Sequence, residues 1–389
     1  MIGITSCTFS QDVRNAKGEQ LRVGADRVEK YLPLIRSKRV AVVANQTSRV
    51  SCNSLHLVDF LVKEQIDVRV VFAPEHGFRG DAGAGEKVVD GKDPSSGVKV
   101  VSLYGRKLKP ASSDLADVDV ILFDIQDVGA RFYTYISTLQ YVMESAAEEG
   151  IPVMVLDRPN PNGHIVDGPV LDTSLRTFVG MNPIPVLHGC TIGEYAKMLV
   201  GEHWLRTAKP CSLTVISVEG YSHDAPYELP IPPSPNLSTS NAIYLYPSLC
   251  LFEGTRVSVG RGTDFPFEVY GFPGFSGATF EFKPTSQPGK ATHPPYEDTL
   301  CMGRDLRGYF KAERPVGLDL SFMIDAYRNY PDQEVFFIPF FESLCGDRSL
   351  KRRIKEGQSE EQIRKSWEKD LAVYRATRKK YLLYPDSRR

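Results

Sequence analysis

No run of apolar residues in this chain approaches the ~18 to 20 needed to cross a membrane as a helix. Charge of one sign is missing as well: 47 lysines and arginines nearly balance 48 aspartates and glutamates. Without a basic block there is no electrostatic footprint for nucleic acid. Cysteine is sparse, with seven residues (7, 52, 190, 211, 250, 301 and 345) and no C-x-x-C among them. That argues against a disulfide framework or a zinc knuckle and leaves all but Cys7 as small buried hydrophobes. The seven histidines (56, 76, 164, 188, 203, 223 and 293) include no H-x-x-x-H pair, so no metal site is expected. Glycine offers no cofactor cradle either. In GDAGAGEK, Gly80, Gly85 and Lys87 imitate a phosphate loop, but Glu86 breaks the G-K-[ST] that a Walker motif requires. No G-x-G-x-x-G follows the first strand, and no G-x-S-x-G elbow occurs. No cofactor is expected.

What is there is an alternating text. With 42% hydrophobic and 24% charged residues, the composition is that of a soluble folded protein long enough for two domains. Arg39 to Ala44 (RVAVVA), Val68 to Ala73, Val98 to Leu103, Val118 to Ile125, Pro152 to Leu156 and Leu213 to Val218 read as buried strands. Between them, Leu55 to Val62, Phe132 to Glu149 and Ile192 to Trp204 read as helices. Such alternation predicts an α/β fold, with βαβ units and a mostly parallel sheet covered on both faces. The texture changes at ELPIPPSPNLSTSNAIYLYP (228–247), where X-Pro steps keep the chain extended. This stretch is either a domain boundary or a loop held against a site. Beyond it, strand-like stretches (Thr255 to Val259, Ala278 to Phe282) mix with helices near Leu320 to Tyr327 and from Glu360 to Lys380.

In open parallel sheets ligands bind beyond the carboxyl ends of the strands, and four predicted strands here end in polar residues. The first delivers Asn45, the second Glu75 and His76, the fourth Asp127 and Arg131, and the fifth Asp157, Arg158, Asn160 and Asn162. One such end could be a turn; four together build a cleft. Asp157 and Arg158 also read as a plain loop ion pair, and the two asparagines beside prolines as turn formers. Glu75 stands out. It follows Pro74 at the mouth of an apolar strand, where partial desolvation suits a carboxyl group to donate a proton. Glu86, in the glycine-rich loop, is a second candidate acid. In the second half, LFEGTRVSVGRGTDFPFE (251–268) concentrates Glu253, Arg256, Arg261, Asp264 and Glu268 among glycines. That pattern suits recognition of an anionic ligand by arginine, or a surface loop laced with salt bridges.

Nine strings in order, FAPEHGFRGDAGAGEKV, SLYGRKLKP, FDIQDVGARFYTYISTL, VLDRPNPNG, GPVLD, PPSPNLST, LFEGT, GRGTDFPFE and RKKYLLYP, resemble a bacterial family long described only as a domain of unknown function. Its characterised members are exo-β-N-acetylmuramidases of the NamZ type. The likeness spans residues 22 to 384. It implies a Rossmann-like domain (22–238) followed by a smaller α/β domain (239–389), with the active site in the cleft between them; residues 1–21 would be a lead-in or the remnant of an export signal. It implies that Glu75, in P-E-H-G, is the catalytic glutamate. The implied reaction is release of N-acetylmuramic acid (MurNAc) from the non-reducing ends of peptidoglycan fragments, so MurNAc–GlcNAc oligosaccharides are the expected partners.

A glycosidase of the usual kind needs a second carboxyl group, and Glu86, Glu253, Asp127 and Glu268 all remain open for it. Attack by the sugar's own N-acetyl group is the alternative. Asn45, His76, Asp127, Arg131, Asp157, Arg158, Asn236, Arg261 and Glu268 are candidates for holding the substrate, with Arg131 or Arg261 meeting the lactyl carboxylate. Peptidoglycan lies outside the cytoplasm, and Ile4-Thr5-Ser6-Cys7 is similar to a lipobox. Export to the periplasm or the cell envelope, with a lipid anchor at Cys7, is therefore expected. The competing reading is a non-catalytic binder of muramyl fragments on the same fold, with Glu75 only a hydrogen-bonding group.

Overall fold

The computed structural model describes residues 21–50, 54–75, 77–80, 90–311 and 313–386. His76, Glu86, Cys7 and Cys52 lie outside them. The first half of the chain alternates as its text suggests: α1 (Val28–Ile35), β1 (Arg39–Ala44), α2 (Leu57–Lys63), β2 (Asp67–Ala73), β3 (Lys99–Ser102), β4 (Val120–Asp124), α3 (Tyr135–Glu149), β5 (Val153–Leu156), α4 (Ile192–Gly201) and β6 (Leu213–Ile216). The six strands are parallel and lie in the order β3-β2-β1-β4-β5-β6, with the short segment Gly91–Lys92 added antiparallel at the β3 edge. This is the order of a doubly wound Rossmann-type sheet, whose direction of winding reverses between β1 and β4. Both faces are buried, as β1 shows: Ala41 and Val43 join one apolar cluster, Val40, Val42 and Ala44 the other.

The second half adds α5 (Ser240–Leu249), a small antiparallel sheet of β7 (Val269–Phe272), β8 (Phe280–Phe282) and β9 (Cys301–Asp305), and helices α6 (Ser321–Asn329), α7 (Phe340–Cys345), α8 (Arg348–Lys355), α9 (Glu360–Lys365) and α10 (Glu368–Lys379). The same apolar cluster that covers one face of the large sheet continues into this part through Leu249, Phe252, Phe336 and Phe341. Among the described cysteines, all are free, and only Cys211 is not fully buried.

Three expectations change. Phe132 to Glu149 is not one helix: α3 starts at Tyr135, because Phe132 and Tyr133 turn aside to pack their rings on Tyr246 at 5.5 and 5.7 Å. The terminal helix breaks into α9 and α10 around Ser366, whose hydroxyl folds back on Ile363 O. Thr255 to Val259 forms only isolated bridges, to Phe337 and Gly271. An unforeseen helix, α5, runs through Pro247. Thr239 caps it by accepting Ala242 N at 2.9 Å, and the Asn162 amide approaches Ile243 O, which Pro247 has no N–H to serve, at 3.4 Å.

Candidate active site

Glu75 leaves β2 in a tight turn. Gly77 N donates to Pro74 O at 3.1 Å and Gly77 takes φ 79°, a left-handed conformation that glycine adopts without a Cβ penalty. The turn sets the half-buried Glu75 against the first residues of α3. Its Oε2 accepts from Thr134 Oγ1 at 3.3 Å, and its backbone oxygen lies 3.5 Å from the Tyr135 hydroxyl. Glu75 opens into a cavity walled by Phe132, Tyr133, Tyr246, Phe267, Ser234 and Arg261. Arg261 comes from the second half. Its Nε donates to Glu253 at 2.5 Å and its guanidinium lies over the Phe267 ring, 4.9 Å from the centroid. Both ties fix the fork while its terminal nitrogens remain for a ligand. Burial opposes its charge, but the Glu253 carboxylate beside it raises its pKa on balance.

The proline-rich stretch forms another wall. The Tyr133 hydroxyl donates to Pro233 O at 2.8 Å, and the Gln46 amide donates to Pro232 O and Pro233 O at 3.1 Å. Residues 232 and 233 of that stretch are thus held against the site. The cavity is small, about 60 Å³.

Most polar strand ends are used otherwise. Arg131 is fully buried and donates to four carbonyls: Pro169 and Ile184 at 2.8 Å, Leu344 at 2.9 Å and Cys345 at 2.7 Å. It staples the second half of the chain to the first, and burial pulls its pKa down to about 10. The expectation that it meets the lactyl group is corrected: it does not line the cavity. Arg158 is bound to Asp124 at 2.6 and 2.9 Å and to Arg49 O. Asp157 caps α4, accepting from Gly193 N at 2.8 Å and Thr191 Oγ1 at 2.7 Å, and takes a third bond from the Tyr384 hydroxyl at 2.5 Å. Burial pushes its pKa up to about 6.

Asn45 Oδ1 closes a turn on Thr47, and Asp127 Oδ2 accepts from Gly129 N at 2.7 Å with His188 3.6 Å away. Glu268 is held by Asn241 at 2.7 Å. Asn236 bonds Lys290 O, and its backbone N–H donates to Ser234 Oγ, so it shapes the wall from behind. None of these lines the cavity. Of the candidate set, the structure brings Glu75 and Arg261 together, with Glu253 one step behind.

Comparison with known proteins gives the lineage. The model of the N-terminal part of exo-β-N-acetylmuramidase NamZ matches residues 40–241, and that of its C-terminal part matches residues 244–384. The chain belongs to the NamZ family. The peptidoglycan β-N-acetylmuramidase NamZ of Bacillus subtilis (strain 168) is 38% identical over 98% of this chain and 96% of its own. Two crystal structures of DUF1343 family proteins from Bacteroides fragilis NCTC 9343 share the fold. One has a TM-score of 0.86 at 42% identity, covering 95% of this chain and 100% of that one. The other has a TM-score of 0.78 at 28% identity, covering 94% and 99%.

Tyr133, Thr134, Tyr246 and Phe267 line the cavity and were not foreseen. The aromatic residues of FYTYISTL stood in the sequence, but its helical spacing conceals that the first three residues are unwound. Among the described residues no group of three or more His, Cys, Asp or Glu side chains is placed to hold a metal ion, and no helix is long and apolar enough to span a membrane.

Proposed function

We propose that this glycosidase is an exo-acting β-N-acetylmuramidase that releases MurNAc from the non-reducing ends of peptidoglycan fragments, with Glu75 as general acid. The observation that carries the reading is a single one: Glu75 and Arg261 bring the only charges to an aromatic-walled cavity, among the residues described as lining it. An acid and a fixed cation are what a MurNAc glycoside asks for. Glu75 protonates the departing glycosidic oxygen, and Thr134 holds the carboxyl group in place. Arg261, oriented by Glu253 and Phe267, receives the lactyl carboxylate that distinguishes MurNAc from GlcNAc. The relationship to the Bacillus subtilis peptidoglycan β-N-acetylmuramidase supports the same substrate class.

No second carboxyl group lines the cavity among the described residues. Glu86, a candidate for that role, lies outside the described residues; attack by the substrate's acetamido oxygen while Glu75 protonates the leaving group is the route that needs no second carboxylate. The work belongs outside the cytoplasm, where the polymer is; fatty-acid labelling that is lost in Cys7→Ser tests the anchor. For the activity itself, a chromogenic β-MurNAc glycoside should be hydrolysed and its GlcNAc counterpart left intact. Mass spectrometry of digested oligomers should show single MurNAc units first. Internal fragments appearing early would overturn exo action, and a protein that binds the glycoside without cleaving it would return the non-catalytic reading.

A further inference from the structure

A second concavity, of about 420 Å³, lies between α10 and the segment 163–167 that follows β5. It shares no residue with the Glu75 cavity. Two carboxylates, Asp167 and Asp386, face four cations there: Arg364, Arg375, Arg378 and Lys379. Two of the cations are spent inside the protein. Arg364 pairs with Asp167 and Glu360. Arg378, only 4% exposed, holds Gly189 O with Nε and Nη2 and Asp386 with Nη1.

Arg375 and Lys379 are different. Both are exposed, and no ion pair among the described residues uses either. Arg375 gives one nitrogen to Val166 O at 2.9 Å, which fixes its fork at the rim. The two stand four residues apart on α10, where side chains are neighbours and like charges repel. At the same spacing Arg352 pairs with Glu356 and Arg364 with Glu360. Two positive charges therefore stand at this concavity without an ion pair among the described residues, beside the buried Arg378.

The geometry points to a second binding site, for a small doubly charged oxyanion, clasped by Arg375 and Lys379. Arginine's planar fork and lysine's compact charge together suit a phosphate monoester or a pair of carboxylates. The site is tied to the catalytic wall. Asp167 pairs through the backbone with Leu187, and Leu187 with Ala130, two residues before Phe132.

Calorimetric titration of the full chain at fixed ionic strength, with inorganic phosphate in one arm and glutarate in the other, tests the site. Saturable binding of at least one is expected. It should weaken by ~10-fold or more in the Arg375→Gln/Lys379→Gln double variant, the loss of one charge-assisted hydrogen bond or more. Arg352→Gln should change nothing, and turnover of the double variant should match the parent. Binding of phosphate alone assigns a phosphoryl ligand; binding of glutarate alone assigns paired carboxylates. If neither binds saturably, or if the double variant binds like the parent, the site does not exist.

Discussion

The polar residues after β5 and the turn after β2 stand at the same edge of one sheet and are used in opposite ways. After β5, Asp157, Arg158, Asn160 and Asn162 are buried, and their hydrogen bonds go to the protein's own backbone and side chains. After β2, Glu75 is half-buried, lines the cavity and, among the described residues, accepts one long side-chain bond. The two arginines repeat the contrast. Arg131 gives both terminal nitrogens to four carbonyls inside the protein and leaves only its buried Nε without a partner, while Arg261 is braced on one side by Glu253 and open on the other. A buried polar group with its partners in place is architecture; a braced but unsaturated one at a cavity is available for chemistry.

That contrast can be broken in four places. The largest effect belongs to Glu75→Gln, which removes the proton donor and keeps the shape. Its kcat on MurNAc–GlcNAc should fall ~10² to 10⁴-fold with an unchanged denaturation curve. Arg131→Met should do the reverse. Uncovering four buried carbonyls and cutting the staple between the halves should lower stability by about 3 to 5 kcal/mol in denaturant unfolding, while the folded fraction turns over normally.

Asp157 tests the architectural side by pH. Folding raises its pKa from an ordinary 3.8 to about 6, so the folded chain keeps a proton that the unfolded chain releases. The stability contributed by that proton is fully present below pH ~4 and is lost as pH rises through ~6. Relative to Asp157→Asn, the parent should lose about 3 kcal/mol across that window, which pH-resolved melting would detect. The smallest effect is that of Arg261→Lys. It should raise KM for MurNAc substrates by the equivalent of about 1.5 to 3 kcal/mol, and far less for an analogue with an esterified lactyl group. Equal losses on both would remove Arg261 from lactyl recognition.

The sheet was legible because its strands are short, apolar on both faces and separated by helical spacing; even the strand ends fall within two residues of their expected places. Glu75 was legible because Pro74 ends an apolar strand and an acid follows. The other strand ends misled for a physical reason. A sequence displays a charge but not its partners, so Arg131 and Arg261 look alike until Pro169, Ile184, Leu344 and Cys345 close around one of them. Helix α5 was hidden because the residue that completes its hydrogen bonding past Pro247 is Asn162, some eighty positions earlier.

The account rests on Glu75 giving its proton to the leaving oxygen, and leaving-group dependence tests that step most directly. Two substrates with the same MurNAc unit should be compared, one departing as a GlcNAc alcohol and the other as a nitrated phenol that needs no proton. Glu75→Gln should lose its ~10² to 10⁴-fold on the first and retain most of the parent's rate of bond cleavage on the second, read as the burst of phenolate. An equal loss on both would contradict the assignment of Glu75 as the acid.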